Sequence, residues 1–228
     1  MSMNKKRIYR IVQLVALILM MLPTVLIADD KKRSAVTMLD KAVEKIKSDA
    51  GVQMDFVFEQ IDGASGNILA TDKGLFFIDN NTTADAMQRF SLQMEQLKIW
   101  CNGERQWNYM AQTNEIYVTA ANSEEAQGLS PVYIMQLYKT GEYNCTLETV
   151  ADKHIITLAS TNDEAEFVNV IVSINAKTLR LVEIVLVGRD NNRTAIKVKN
   201  YKPGSVFDST LFECPIGEYP DAEVIDMM

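Results

Sequence analysis

Apolar residues follow a helical spacing near the start of the chain and then switch to strict alternation. Between Ser34 and Ala50 they recur every three or four residues, which predicts an amphipathic helix that ends at Gly51. The apolar stripe of this helix consists of Ala35, Leu39, Ala42, Val43 and Ile46. From Val52 to Glu59 apolar and polar residues alternate, so this segment is predicted to be a half-buried strand.

Short alternating segments separated by turn signals make up most of the rest of the chain. Asn102-Gly103 is a strong two-residue hairpin signal between two of them. The other predicted strands are Arg89–Met94, Lys98–Cys101, Arg105–Met110, Glu115–Thr119, Asn144–Val150, His154–Ala159, Phe167–Ile174, Leu181–Val187 and Thr194–Tyr201. Consecutive strands joined by tight turns predict one antiparallel sheet, curved or closed into a barrel, within a single domain.

Two segments depart from this strand pattern. Gly74–Met87 begins with an apolar run and then turns, and Thr82 or Thr83 is placed to cap a short helix. Pro131–Tyr138 predicts a helix with proline at its first position and Gly141 as its stop. That helix is apolar nearly all round, so it has to cover another apolar surface.

The first 28 residues have the composition of an export signal. A basic stretch, Lys5–Arg10, precedes the apolar run Ile11–Leu22, and the small residue Ala28 stands before two aspartates. This layout predicts a signal peptide over residues 1–28 that is cleaved near Ala28, leaving residues 29–228 as one exported domain. An uncleaved membrane anchor is the alternative, because the apolar run is close to the shortest length that spans a bilayer.

Charge and residue types exclude several classes of function. The chain has 23 Lys and Arg against 30 Asp and Glu, and the acidic residues all follow residue 28. Such a balance argues against a nucleic-acid partner. The single histidine, His154, and three separated cysteines do not form a metal site or a catalytic triad. We therefore expect no cofactor and no enzymatic activity, and a hydrolase is the least supported class.

Apolar alternation by itself fits two interpretations equally well. A curved sheet with aromatic and methionine side chains on one face, covered by an apolar helix, describes an ordinary core. It also describes a ligand cavity, and methionine suits apolar ligands of variable shape.

Several motifs follow one another along Arg89–Thr119: a strand, the hairpin Trp100–Gly103, the aromatic strand Trp107–Tyr109 and the polar turn Gln112–Glu115. The helix Pro131–Tyr138 comes next, and the tail runs from Leu211-Phe212 to Tyr219–Met227. In this order and spacing the chain resembles the LolA-like family of periplasmic lipoprotein carriers, and the tail is similar to one branch of that family. Well-known members also carry an arginine implicated in lipid release, and the nearest residue here is Arg89.

This resemblance implies an α+β fold: an open, strongly curved antiparallel half-barrel with helices as a lid over an apolar cavity. It implies a periplasmic monomer that receives acylated lipoproteins from an inner-membrane transporter and passes them to an outer-membrane acceptor. A lipid- or peptide-sensing regulatory module on the same fold is the alternative. The expected cavity wall consists of Phe90, Leu92, Met94, Trp107 and Tyr109, and the expected lid residues are Ile134 and Met135.

Overall fold

One large sheet dominates the structure, a computed structural model that describes residues 32–81, 88–123 and 130–228. The predicted signal peptide and the helix start predicted at Thr82 or Thr83 lie outside these residues. A helix over residues 32–48, α1, precedes the first strand. The strands are β1 Gly51–Ile61, β2 Ile68–Asp79, β3 Arg89–Gln93, β4 Leu97–Cys101, β5 Arg105–Met110, β6 Glu115–Ala120, β7 Tyr143–Val150, β8 Lys153–Ser160, β9 Phe167–Asn175, β10 Leu181–Gly188, β11 Arg193–Pro203 and β12 Glu223–Asp226.

The order of the strands across the sheet is β12-β6-β5-β4-β3-β2-β1-β11-β10-β9-β8-β7. Two antiparallel meanders, β1 to β6 and β7 to β11, meet at a seam where β1 pairs with β11. β12 pairs in parallel with β6, and every other strand pair is antiparallel. The sheet is curved and open, since its end strands β12 and β7 are not paired with each other. The predicted α+β class and open antiparallel half-barrel are therefore confirmed.

Helix α1 packs on one face of the sheet, which is called the inner face below. Its buried side chains are the five residues of the predicted stripe, Ala35, Leu39, Ala42, Val43 and Ile46. They share one apolar core with inward residues of β1, β2 and β3, such as Val52, Ile78 and Phe90. A helix with a single apolar stripe can bury it only against another layer, so the stripe determines which side of α1 meets the sheet.

A second helix, α2, spans Pro131–Gln136 and continues as a 3-10 helix over Leu137–Thr140. The α-helix is thus shorter than the predicted Pro131–Tyr138, because its last turn tightens into 3-10 geometry. Gly141 ends it with a left-handed φ of 82°, which glycine adopts without steric cost. None of the helices among the described residues is both long and apolar enough to cross a membrane.

Strand β2 begins earlier than the sequence pattern predicts. The apolar run from Gly74 is its second half, and Ile68–Lys73, which had not been predicted as a strand, is its first half. This first half is mostly exposed. It pairs with β1 along its length, whereas pairing with β3 extends only from Leu75 to Asp79.

The C-terminal segment crosses the opposite, outer face of the sheet before it forms β12. Phe212 is completely buried there, with its ring centroid 6.0 Å from that of Phe207. A second apolar cluster lies on this face, and it is formed by Trp100, Trp107, Ile116 and Val118 with Tyr109, Cys214, Tyr219 and Ala222 packed against them. The outer cluster and the inner core therefore bury β4 from both faces.

Candidate functional site

An apolar cavity of about 60 Å³ lies between the inner face of the sheet and α2. Every side chain in its wall is apolar. The wall consists of Met54, Phe56, Phe58, Phe76, Leu92, Met94, Leu97, Pro131, Leu181, Ile196 and Val198. Such a lining offers no hydrogen-bond partner to a ligand, so it selects for hydrocarbon.

Five of the eleven wall residues come from β1 and β11, the two strands of the seam. Phe56 is paired with Val198 and Phe58 with Ile196, so these four side chains form adjacent rungs on one face. The alternation of β1 points the intervening residues, Asp55 and Val57, outward. Pro131, at the first position of α2, closes the cavity from the helix side.

The ring of Phe56 lies directly over Gly74 in the neighbouring strand β2. A Cβ atom added to Gly74 would come within 2.2 Å of the Phe56 ring. Any larger residue at this position would therefore displace the ring from the cavity wall.

Comparison with protein families identifies the group to which this chain belongs. The family described as "Outer membrane lipoprotein carrier protein LolA" matches residues 28–189. The chain belongs to the LolA family. No curated protein sequence matches it.

Several solved structures match this LolA-family chain at low sequence identity. An uncharacterized conserved protein from Thermus thermophilus is 13% identical, with a TM-score of 0.48 and coverage of 85% of this chain and 99% of that one. A putative outer membrane lipoprotein-sorting protein domain from Vibrio parahaemolyticus is 8% identical, with a TM-score of 0.45 and coverage of 81% and 98%. The Pseudomonas aeruginosa MucA/MucB complex matches at 9% identity and a TM-score of 0.45, with coverage of 80% and 62%.

Three of the residues expected at the cavity wall lie on the inner face of this LolA-family sheet. Leu92 and Met94 line the cavity. Phe90 is buried on the same face and stacks on Phe76, with 5.6 Å between ring centroids, but it is not part of the lining. Its place is in the core beside the cavity.

Trp107 and Tyr109 lie on the outer face, contrary to the expectation that they line the cavity. They pack in the second apolar cluster, where the rings of Tyr109 and Tyr219 are 4.4 Å apart. The inward positions of β5 are the polar Gln106 and Asn108 and, at the strand end, the exposed Met110. The alternation of aromatic residues in β5 does correspond to a row of packed side chains. The C-terminal segment covers that row on the outer face of the sheet, away from the cavity.

The expected lid residues Ile134 and Met135 belong to α2, and both are buried in the main core. Sequence patterns did not identify the cavity residues of β1, β10 and β11, nor Phe76, Leu97 and Pro131. Alternation in Val52–Glu59 already indicated the contribution of β1. Leu181, Ile196 and Val198 carried no such signal, because their position depends on which strands become neighbours in space.

Arg89, the nearest counterpart of the family's lipid-release arginine, faces away from the cavity. Its guanidinium forms an ion pair with the buried carboxylate of Asp79 on the outer face. The same guanidinium stands 5.6 Å from the ring centroid of Phe212. Arg89 therefore holds the C-terminal segment against the sheet rather than contacting a ligand in the cavity.

The remaining reactive side chains are dispersed. Among the described residues, no group of three or more His, Cys, Asp and Glu is placed to hold a metal ion. Cys101, Cys145 and Cys214 are free thiols, and burial raises the pKa of each, to about 11 for Cys214. The His154 ring Nδ1 is 2.9 Å from the Thr149 hydroxyl on the neighbouring strand.

Proposed function

We propose that this LolA-family chain is a periplasmic carrier that binds the acyl chains of lipoproteins and shuttles them from the inner to the outer membrane. The wholly apolar cavity between the seam and α2 is the observation that carries the proposal. Its lining by Met54, Phe56 and Met94 provides flexible and aromatic contacts that suit hydrocarbon chains of different lengths.

The energetics of acyl chains explain why such a carrier is needed. Burying a CH₂ group is worth about 0.8 kcal/mol, so one ~C16 chain exposed to water costs on the order of 12 kcal/mol. Transfer through water without a carrier would therefore be negligible. Moving an acyl chain between two apolar environments breaks no covalent bond, so the function requires no catalytic group.

Acyl-chain entry requires the lid to move. The cavity measures about 60 Å³, whereas pockets for small ligands usually occupy about 300–1,000 Å³. Outward displacement of α2 would enlarge it, since Pro131 forms the helix side of the wall. Ile134 and Met135 would then exchange their present core contacts for contacts with the acyl chain.

The proposed cycle requires two membrane partners. An inner-membrane transporter would load the carrier, and an acceptor at the outer membrane would unload it. A monomer is sufficient for both steps, because one chain forms the whole cavity. Residues 1–28 would direct export and be removed near Ala28.

The test begins with the full chain expressed in a Gram-negative host and recovered from the periplasmic fraction. Native mass spectrometry of the purified protein should show bound acylated peptide or lipid, and its mass should show that residues 1–28 have been removed. Incubation with acceptor vesicles should then transfer an acylated peptide to them. Binding without transfer would favour the regulatory module, and failure to bind any acylated probe would contradict the carrier.

A further inference from the structure

Strand β2 has an open edge beyond the end of β3. Its pairing with β3 stops at Leu75, whereas its pairing with β1 continues to Ile68. No strand among the described residues lies along the other side of Ile68–Gly74. Ile68 and Leu69 are exposed by 56% and 63%. Such an edge presents unpaired backbone donors and acceptors to which another strand can add.

The hydrogen bonds of β2 show which backbone groups face outward. The Asn80 N–H donates to the Ala50 carbonyl on the β1 side, so the register makes the even-numbered residues of β2 the ones that bond to β1. The Lys73 N–H therefore points away from β1, and Asp72 Oδ1 accepts it at 2.6 Å. Groups that face one side of an antiparallel strand recur at every second residue. Thr71 therefore also directs its N–H and C=O toward the open edge, and no carboxylate among the described residues accepts from that N–H.

This edge borders an open groove of about 640 Å³ that adjoins the cavity. Two side chains, Phe56 and Met94, line both the groove and the cavity. The groove is lined by Asp55, Phe56, Val57, Lys73, Gly74, Leu75, Gln93, Met94, Lys98 and Lys199. A chain leaving the cavity past Met94 would thus enter the groove beside β2.

The charged residues of the groove favour an acidic partner. Three of its side chains are lysines, and neither Lys73 nor Lys199 forms an ion pair with any described carboxylate. Lys98 donates to the Tyr219 hydroxyl at 3.0 Å. The groove's one acidic side chain, Asp55, already accepts hydrogen bonds from its neighbours. The unpaired ammonium groups are available to carboxylates from outside.

We propose that the edge Ile68–Gly74 binds the extended polypeptide segment next to the acylated residue of the cargo, as an added β-strand. The proposal rests on the proposed function, because it places the acyl chain in the cavity. An added strand directs alternate side chains to opposite faces. One row would meet the lysines and the other would meet Phe56 and Met94, so the preferred segment alternates acidic and apolar residues.

The experiment uses a peptide of about eight residues, with alternating Glu and Val, in two forms: with and without an N-terminal palmitoyl group. A twin with Lys in place of Glu is the charge control. Thr71→Pro removes an outward N–H that β1 does not use, and Thr71→Val leaves the backbone intact. We expect Thr71→Pro to weaken binding of the non-acylated Glu peptide at least about tenfold, whereas Thr71→Val changes it less than about twofold.

Two further readouts keep the edge test independent of folding. Circular dichroism checks that the Thr71→Pro variant is folded. Lys73→Glu should lower the affinity for the Glu peptide and raise the affinity for the Lys twin. In wild type, the Glu peptide should slow amide hydrogen exchange at Thr71. Unchanged exchange at Thr71, or equal affinity in the Pro and Val variants, would overturn the proposal. A third result would also overturn it: Thr71→Pro abolishes self-association of the chain but leaves peptide binding intact. The edge would then pair with a second copy of the chain.

Failure of the two proposals is distinguishable with free palmitate as a second probe. Palmitate could bind wild type and Thr71→Pro with equal affinity while peptide binding is also unaffected by Thr71→Pro. In that case the carrier proposal stands and the edge proposal fails. If wild type binds no palmitate and no palmitoyl peptide, the carrier proposal fails. The edge proposal, as stated for acylated cargo, then fails with it, whatever the non-acylated peptide does.

Discussion

The hydroxyl of Tyr138 donates a hydrogen bond to the carboxylate of Asp40, and this bond joins the 3-10 end of α2 to α1. Burial, together with that carboxylate, raises the pKa of Tyr138. The bond therefore fastens the two helices that cover the inner face of the sheet.

Tyr138→Phe should loosen the lid. Loss of a hydrogen bond to a charged group should lower the free energy of unfolding by about 1.5–3 kcal/mol. If α2 must move to admit an acyl chain, the variant should also bind a fluorescent fatty acid faster in stopped-flow measurements. Tyr133→Phe, on the same helix, removes a hydroxyl without removing this bond and is the control. An unchanged association rate in Tyr138→Phe would argue against lid movement as the limiting step.

Met94→Gln should weaken acyl-chain binding at least about tenfold, because it places an amide without partners in an apolar wall. Since Met94 is only half-buried, the free energy of unfolding should fall by no more than about 1 kcal/mol. Fatty-acid titration and urea unfolding measure the two effects separately. Met110→Gln changes an exposed methionine outside the cavity lining and should alter neither. Full binding by Met94→Gln would contradict the cavity assignment.

Arg89→Met should destabilise the fold without affecting the cavity. It leaves the Asp79 carboxylate, whose side chain is 4% exposed, without its ion-pair partner, and such losses cost about 3–5 kcal/mol. Adding Asp79→Asn should recover part of this loss in urea unfolding. Lys202→Met is the control, because Lys202 pairs with the more exposed Asp55 at 4.0 Å. A specific loss of acyl release in Arg89→Met, at unchanged stability, would instead restore the family's release role to Arg89.

Cys214 should make stability fall as the solution becomes alkaline. Burial raises its pKa from 9.0 to about 11 in the folded state, so the unfolded chain releases the thiol proton first. Its contribution to stability is complete below the ordinary thiol pKa and is lost as the pH rises through the folded value. Urea midpoints from about pH 8 to about pH 11 should decline less steeply in Cys214→Ala than in wild type. Parallel declines in the two proteins would contradict this assignment.

Sequence periodicity predicted the elements whose burial is one-sided and local. The stripe of α1 and the alternation of β1 each need only one neighbouring layer, and the structure buries both as predicted. The first half of β2 was not predicted because it extends beyond the end of β3 and pairs only with β1. With side chains exposed on both faces, Ile68–Lys73 has no apolar alternation to detect.

The direction in which a buried row points was not predictable from the row itself. Trp107 and Tyr109 alternate with polar residues as cavity residues would. The pairing register of β5 places them on the outer face. Tyr219, more than one hundred positions later, packs against their cluster there. The cavity residues of β10 and β11 were missed for a related reason, because pairing between distant strands leaves no local signature.

The seam between β1 and β11 also bears on how the chain folds. It joins residues far apart in sequence, since the bonds from Lys197 to Glu59 and from Asn200 to Asp55 span 138 and 145 residues. Each meander can form from neighbouring segments, whereas closing the seam carries the entropic penalty of one long loop. Refolding should therefore include a late, slow phase in which exchange protection at β1 and β11 appears together. Until that phase ends, the future cavity wall stays divided between two half-sheets, which makes this interval the one most exposed to aggregation.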